Sequence, residues 1–314
     1  MQAAPQKKVT LESSIRARAG DKKSHKVWLK TFGTLSHFEY VWMQPPRVVG
    51  MVKFTIIIPT FNSERTLDAC LASLASQRYK NFEVLIMDGN STDKTSQIVQ
   101  MYARKIPGLR FISERDKGIY DAMNKGITLA TGSWLCFLGS DDTLYSPSVL
   151  QDIAPILNQN ADIVYGNINS SRFNGVYGGA FSKTRIFFEN ICHQAIFFKK
   201  DIFSRTGLFN LRYKAQADWD HNMKWLLDPK IRSIYADLII ANYADGGYSS
   251  VHGDNVFQEE KMFLYLQYAR KSVSLFSRFK MYAGYQKRNI KNRSYKLFFR
   301  YLFGAFEAFF KSPG

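Results

Sequence analysis

Four groups of polar side chains in this sequence are of the types that bind a cation or a nucleotide, and each follows an apolar run. The most acidic group is Ser140-Asp141-Asp142, which comes directly after the uncharged run Trp134–Leu138 and Gly139. Two adjacent carboxylates repel each other and resist burial, so they need solvent, a cation or a turn around them. The sequence leaves two interpretations open: a cation site, or a turn that caps the helix expected in SPSVLQDI.

The other three groups are placed in the same way along the chain. Pro59, Thr60 and Asn62 follow FTIII, residues 88–93 follow FEVLIM, and residues 114–118 follow LRFIS. Apolar runs of strand length alternate with segments of helical spacing, which predicts an α/β fold with a mainly parallel, Rossmann-like sheet flanked by helices. Because ligands bind at the carboxyl ends of such strands, we expect a cation or nucleotide site at that edge.

Three local features of these elements are also predicted. Pro59 is expected to stop the first strand, because proline lacks the backbone N–H that a sheet needs. Ser63 is expected to cap the helix in SERTLDACLASLASQ. The apolar segment His193–Phe198, HQAIFF, is expected to form a strand that brings His193 and Gln194 to the site.

The net charge of +17 is distributed unevenly along the 314 residues. Residues 1–50 carry nine Lys and Arg against three acids, residues 261–314 carry twelve against Glu307 alone, and residues 51–260 are neutral. This predicts a poorly ordered basic leader over 1–50, a catalytic domain over 51–260 and a basic extension over 261–314. The three cysteines have no metal-ligand spacing, which favours free buried thiols in a reducing compartment.

The extension combines helical spacing with many aromatic and basic residues. Its most apolar part, Leu297–Phe310, is interrupted by Arg300 and Glu307 and is too short to span a bilayer. It fits a helix that lies in an anionic membrane interface, and packing against the catalytic domain or a partner chain is the alternative. A nucleic-acid partner is disfavoured because the central segment is neutral and its predicted site is acidic.

The segments IIIPTFNSERTL, LIMDGNSTDKT, DKGIYDAMNKGITLATGSWLCFLGSDD and QADWD, in this order, resemble the bacterial family 2 glycosyltransferases. The resemblance covers residues 53–250 and implies the GT-A fold and an inverting transfer. It implies nucleotide or donor-sugar contacts for Pro59, Thr60, Asn62, Glu64, Asp88, Asp116, Lys117, Gly118 and Asp121. For Asp88, an Asx-turn that opens the next helix is the alternative interpretation.

The resemblance also implies a metal site and a base. Ser140-Asp141-Asp142 stands at the place of the family's DXD motif, so Asp142 would bind Mg²⁺ or Mn²⁺ and Asp141 would contact ribose or a metal-bound water. Asp218 matches the family's catalytic carboxylate, with helix capping as its alternative, while Asp220 is expected to complement the helix dipole. Further candidates are His193 and Gln194, beside the site, and His252, near the diphosphate.

The predicted function is therefore a metal-dependent hexosyltransferase-like enzyme that moves a sugar from a nucleotide-diphosphate sugar, with UDP favoured, to an acceptor hydroxyl with inversion. The acceptor is expected in cell-surface polysaccharide or lipid-linked glycan synthesis, with the enzyme peripheral at the cytoplasmic face of the membrane. The alternatives are a non-catalytic nucleotide-sugar-binding module and a basic membrane- or nucleic-acid-binding module. Dinucleotide and P-loop enzymes are excluded by the absence of GxGxxG and GxxxxGK[ST].

Overall fold

A computed structural model describes residues 51–247 and 253–310 of the chain. The strands are β1 (Phe54–Thr60), β2 (Phe82–Asp88), β3 (Leu109–Ser113), β4 (Trp134–Phe137), β5 (Thr143–Leu144), β6 (Ile163–Ser170), β7 (Gly175–Tyr177), β8 (Ile196–Lys199) and β9 (Ser233–Asn242). The helices are α1 (Leu67–Ala75), α2 (Thr95–Tyr102), α3 (Ile119–Leu129), α4 (Val149–Leu157), α5 (Arg185–Phe188), α6 (Ile202–Thr206), α7 (Ala217–Leu227), α8 (Asn255–Tyr268), α9 (Leu275–Lys291) and α10 (Tyr295–Phe310). The basic leader predicted over residues 1–50 lies outside the described residues.

The strands form one sheet in the order β3-β2-β1-β4-β8-β6-β9-β5, with β7 paired to β6. The first four strands along the chain are parallel, and Phe54 of β1 pairs with Phe82 of β2 and Trp134 of β4. Strand β8 runs antiparallel to both β4 and β6, so the second half of the sheet is mixed. The α/β class with a parallel, helix-flanked core sheet is thus confirmed, and the carboxyl ends of β1–β4 share one edge.

The central strands are buried because each face of the sheet is covered by helices. Along β1, Ile56 and Ile58 pack in one apolar cluster with α1, α2 and α4. Ile57 points to the other face and packs in a second cluster with α3, α7 and the C-terminal helices. This alternation is the period-2 geometry of a strand, and it explains why the predicted runs are continuously apolar.

Two of the local predictions for the first loop are wrong. Strand β1 continues through Pro59 to Thr60, because its pairing with β4 ends at Ile57, so the ladder on that side does not need a backbone N–H at position 59, which proline lacks. Helix α1 begins at Leu67, and it is the Ser63 carbonyl that accepts from the Leu67 N–H at 3.0 Å. The Ser63 hydroxyl instead lies 2.9 Å from the Ser140 hydroxyl.

The predicted strand at His193 begins later than expected. Residues His193–Ala195 form a 3-10 turn, and β8 starts at Ile196. In this turn the His193 side chain hydrogen-bonds to Asp218 and the Gln194 side chain donates to Asp142, so the two side chains reach two different carboxylates.

The C-terminal extension packs against the rest of the protein through its aromatic residues. Tyr265, Tyr282 and Tyr301 are buried in the cluster that also contains residues of β4 and α7. The boundary predicted between residues 260 and 261 falls inside α8, so the two segments share a helix. The outer side of α9 carries the exposed residues Leu275, Phe276 and Phe279. Within the described ranges, no helix is long and apolar enough to cross a membrane.

Candidate active site

A cavity of about 920 Å³ opens at the carboxyl ends of the parallel strands. All four polar groups singled out in the sequence contribute to its wall, which is lined by residues 59–66, 92–93, 116–119 and 139–141, together with Ala122, Lys214, Gly246 and Gly247. Of the predicted nucleotide and donor-sugar residues, those that line the cavity are Pro59, Thr60, Asn62, Glu64, Asp116, Lys117, Gly118 and Asp141. Folding thus brings side chains that are up to about eighty residues apart in the sequence to one edge of the sheet.

One wall of the cavity is made by the loops after β1 and β2, which hold each other. The Thr92 N–H donates to Asn62 Oδ1 at 3.0 Å, and the Lys94 N–H donates to Glu64 Oε2 at 3.1 Å. In the reverse direction, the Glu64 N–H donates to Asp93 Oδ2 at 2.9 Å. These reciprocal hydrogen bonds preorganise the wall before a ligand arrives.

Asp88 supports this wall from behind and does not line the cavity. Its buried carboxylate accepts from the Ser91 N–H at 3.0 Å, from Ser113 Oγ at 2.6 Å and from Thr60 Oγ1 at 3.3 Å. The bond from the Ser91 N–H fits the Asx-turn alternative, and the nucleotide contact expected of Asp88 stays a prediction. The Ser91 hydroxyl donates to it as well, so four donors from the ends of β1 and β3 and the loop after β2 share this buried acceptor.

The donor-segment residues 116–118 form a tight turn at the start of α3. Asp116 Oδ1 accepts from the Gly118 N–H at 2.8 Å, and Gly118 has a φ of 115°, which favours glycine. Asp121 does not line the cavity; its Oδ2 accepts from the Lys117 N–H at 3.0 Å and pairs with Lys125 Nζ at 3.5 Å. Asp121 therefore shapes the turn, whereas Asp116 and Lys117 are presented to the cavity.

The two carboxylates of the acidic motif have different environments. Asp141 lines the cavity, whereas Asp142 is 2% exposed and accepts from the Ala244 N–H at 2.8 Å and from Gln194 Nε2 at 2.7 Å. Burial, and then the charge of Asp141, raise the pKa of Asp142 to about 6. As the structure places them, Asp141 is the carboxylate presented to the cavity and Asp142 is turned into the protein, and the metal-binding role expected of Asp142 stays a prediction.

Glycine at two positions makes room for the acidic motif. A Cβ at Gly139 would collide with the Asp142 carboxylate and would lie 2.7 Å from Asp141 Oδ1, and a Cβ at Gly247 would lie 3.0 Å from Asp141 Oδ2.

Within the described part of the chain, no three His, Cys, Asp or Glu side chains converge as a metal cluster. A hard cation that takes one protein carboxylate and completes its shell with ligand oxygens and water fits this arrangement.

Asp218 lies in the first turn of α7 and is 7% exposed. Its carboxylate accepts four hydrogen bonds, from Tyr120 Oη at 2.9 Å, the Trp219 N–H at 2.8 Å, Asn190 Nδ2 at 3.0 Å and His193 Nδ1 at 3.3 Å. An ionised carboxylate has about four acceptor sites, so all of them are in use. The position before α7 is taken by Gln216, so Asp218 is not its N-cap.

The 3-10 turn at His193 and Gln194 joins the two acidic regions. His193 contacts Asp218, and Gln194 donates to Asp142 Oδ2. The second polar atoms of these side chains, His193 Nε2 and Gln194 Oε1, are buried and have no hydrogen-bond partner among the residues that the structure describes. Neither residue lines the cavity, so both act here as a link between Asp142 and Asp218.

Asp220 points away from the site and is held by Lys224 Nζ at 2.8 Å and Tyr268 Oη at 2.9 Å. His252 lies outside the described residues. The cavity residues that the sequence did not indicate include Phe61, which is 65% exposed, Arg65 and Lys214. An aromatic residue inside PTFN and a lysine four residues before Asp218 are the signals that point to Phe61 and Lys214.

The mixed sheet, the cavity at the ends of its parallel strands and the acidic motif at the end of β4 define a GT-A fold. The sequence profile of "Glycosyl transferase family 2" matches residues 55–216, and the chain belongs to this family. It is a glycosyltransferase, as the resemblance in its motifs predicted.

Among relatives, a "PGL/p-HBAD biosynthesis glycosyltransferase" of Mycobacterium bovis is 43% identical over 210 residues, which are 65% of this chain and 82% of the relative. The Escherichia coli protein "UDP-Glc:alpha-D-GlcNAc-diphosphoundecaprenol beta-1,3-glucosyltransferase WfgD" is 27% identical over 193 residues, covering 60% and 76% of the two chains. The structure of S. aureus TarS 1-349 in complex with UDP-GlcNAc superposes with a TM-score of 0.61 at 23% identity, over 76% of this chain and 73% of that one. This structural likeness concerns the fold.

Proposed function

We propose that the protein transfers a sugar from a nucleotide-diphosphate sugar, with UDP favoured, to an acceptor hydroxyl with inversion at the anomeric carbon. The observation that carries the proposal is the cavity into which the strand-end loops present Asn62, Glu64, Asp116 and Asp141. Its volume of about 920 Å³ suits a ligand of nucleotide-sugar size. The relative WfgD supports UDP as the nucleotide, since its name contains UDP-Glc.

Asp141 is the residue proposed to hold Mg²⁺ or Mn²⁺ together with the donor diphosphate. Such a cation neutralises charge that develops on the leaving diphosphate. Asp142, behind it, is hydrogen-bonded by Gln194 and the Ala244 N–H, and it keeps the backbone of the acidic loop in place. Lys117 and Lys214 line the same cavity and add positive charge near an anionic donor.

Asp218 is proposed as the general base. The acceptor hydroxyl gives its proton to this carboxylate as its oxygen bonds to the anomeric carbon, and the bond from that carbon to the diphosphate oxygen breaks with its electron pair. Because the four acceptor sites of Asp218 are in use, one hydrogen bond has to yield to the incoming hydroxyl. The 3.3 Å contact with His193 is the longest of the four and is the one we expect to open.

The acceptor is proposed to be a lipid-linked or polysaccharide-precursor glycan at the inner face of the cell membrane. Two relatives support this proposal through their names, which refer to PGL/p-HBAD biosynthesis and to a diphosphoundecaprenol-linked sugar. The extension supports it as well, since residues 270–300 contain ten Lys and Arg and no acid, and Phe276 and Phe279 are exposed on α9. Exposed aromatic rings among cations suit an anionic membrane surface.

The test is release of nucleoside diphosphate from a panel of UDP- and GDP-sugars, each with Mn²⁺, Mg²⁺ or EDTA, in the presence of membrane extract. We expect turnover of one UDP-sugar that EDTA abolishes and added metal restores. Binding of a donor without turnover in any extract would favour the non-catalytic binding module. Absence of donor binding throughout would contradict the proposal.

A further inference from the structure

Helix α8 lies along the whole segment that carries Asp218, although it is outside the range matched by the family profile. Asp254 Oδ2 accepts from the Ala215 N–H at 3.0 Å, and Gln258 Nε2 donates to Gln216 Oε1 at 2.6 Å. Further along, Tyr213 Oη donates to Glu260 Oε2 at 2.6 Å, and Tyr268 Oη donates to Asp220 Oδ1 at 2.9 Å. Helix α8 and its N-cap Asp254 thus contact the segment 213–220 through four side-chain hydrogen bonds.

Lys261 stands in the middle of this contact and is the one buried lysine within residues 51–247 and 253–310, with 6% of its surface exposed. Its ammonium group lies 3.5 Å from the ring centroid of Trp219 and 5.0 Å from that of Phe187. No carboxylate pairs with Lys261 in the described part of the chain. The partners of this charge are therefore aromatic faces, a cation–π arrangement that is strongest over tryptophan and away from water.

A charge in this position costs stability. Burial, and then the positive charge of Arg288, lower the pKa of Lys261 to about 7. A methionine would fill a similar volume without a charge, and such replacements of buried charges are often neutral or stabilising. Packing of the core therefore does not by itself account for a lysine here.

Trp219 connects Lys261 to Asp218. The indole Nε1 donates to the Ile186 carbonyl at 2.6 Å, which together with Lys261 holds the ring on two sides. The Trp219 N–H donates to Asp218 Oδ1 at 2.8 Å, the shortest of the four hydrogen bonds to that carboxylate. The residue whose ring Lys261 holds therefore also supplies, through its backbone N–H, a donor that orients Asp218.

We propose that Lys261 is a positioning residue for the transfer reaction, which it supports by holding the Trp219 ring and, through Trp219, the Asp218 carboxylate. This inference rests on the proposed role of Asp218 as the base. It makes the first helix of the extension part of the catalytic apparatus, in addition to any role of the extension at a membrane.

The experiment compares wild type, Lys261→Met, Lys261→Arg and the matched control Lys105→Met. Lys105 also lies over an aromatic ring, 4.7 Å from the centroid of Tyr102, but it is exposed and does not line the cavity. We measure kcat, the KM for the donor sugar and Tm for each protein. For Lys261→Met we expect kcat to fall about tenfold or more with little change in donor KM, since small misplacements of a catalytic group are costly. Its Tm should be equal to or above that of the wild type.

Lys261→Arg keeps a cation over the ring and should retain most of the activity, and Lys105→Met should behave as the wild type. An unchanged kcat in Lys261→Met would overturn the inference, and so would a fall in kcat that is matched by a fall in Tm. An arginine variant as impaired as the methionine variant would overturn it as well. Failure of all four proteins to turn over any donor would count against the proposed reaction, which separates the two ideas.

Discussion

The donor side and the base side of this site are built in opposite ways. On the donor side, loops at the strand ends present Asn62, Glu64 and Asp141 to an open cavity. On the base side, Asp218 is buried and already accepts four hydrogen bonds. The donor region is thus preorganised around an open cavity, whereas the proposed base is already fully hydrogen-bonded, so that an acceptor hydroxyl would have to displace one of its donors.

The same contrast appears within the acidic motif at the end of β4. Asp141 faces the cavity, while its neighbour Asp142 is turned into the protein and is held by Gln194 and a backbone N–H. In the turn after β4 the two adjacent side chains point in different directions, so one carboxylate can serve a ligand while the other serves the loop.

Among the variants that distinguish the two sides, the largest loss of activity is expected at Asp218. Asp218→Asn should lower kcat by about 10²–10⁴, the usual contribution of general base catalysis, and should leave donor binding close to that of the wild type. Steady-state rates and the KM for the donor check both parts. The exposed Asp201→Asn provides the matched control. A variant that keeps most of its kcat would show that Asp218 is only a structural hub.

Asp141→Asn should affect the donor side instead. Loss of the carboxylate that faces the cavity should weaken metal-dependent binding of UDP by about tenfold or more, which corresponds to about 1.4 kcal/mol. Tm without ligand should stay within a few degrees, because Asp141 is partly exposed. Titration of Mn²⁺ at fixed UDP checks this, and equal affinity in variant and wild type would remove Asp141 from the metal site.

Asp142→Asn tests the buried member of the pair through the pH dependence of stability. The folded pKa of Asp142, about 6, lies above that of an unfolded aspartate, so the folded state favours the protonated form. Its contribution to stability is present below about pH 4 and is lost as pH rises through about 6. Wild type should lose about 2–3 kcal/mol over this window relative to Asp142→Asn. Urea unfolding from pH 4 to pH 7 measures the two slopes, and parallel slopes would contradict the assignment.

Tyr120→Phe should give the smallest effect. The variant removes one of the four donors to Asp218 and leaves the ring in place, so a loss of about 1 kcal/mol is expected in catalysis. The measurement is kcat with the donor KM as reference. A loss as large as that of Asp218→Asn would mean that Tyr120 itself takes part in proton transfer.

Much of the donor side could be predicted from the sequence. Apolar runs that end in polar groups determine which residues reach the edge of a parallel sheet, so Thr60, Asn62, Asp116 and Asp141 could be assigned to the cavity without coordinates. The sequence does not determine the direction of each side chain. Asp88 is the last residue of β2 and Asp142 follows β4, yet both carboxylates turn inward because buried backbone and hydroxyl groups need their oxygens.

The base side could be predicted only in part. The motif QADWD indicates Asp218 as a candidate. Tyr120 and Asn190, which donate hydrogen bonds to Asp218, lie far from it in the sequence, and no local pattern predicts such contacts. The location of the C-terminal extension, residues 261–314, could likewise be predicted only in part. Its aromatic and basic composition suits a membrane surface or a packed interface equally, and the structure shows Tyr282 and Tyr301 packed in the core while Phe276 and Phe279 stay exposed.

The most direct test of the division between the two sides is calorimetric titration of UDP in the presence of Mn²⁺ into wild type, Asp141→Asn and Asp218→Asn. The account predicts that Asp218→Asn binds UDP as the wild type does and that Asp141→Asn binds it at least about tenfold more weakly. Equal weakening in both variants, or weakening in Asp218→Asn alone, would contradict the separation of a donor side from a base side.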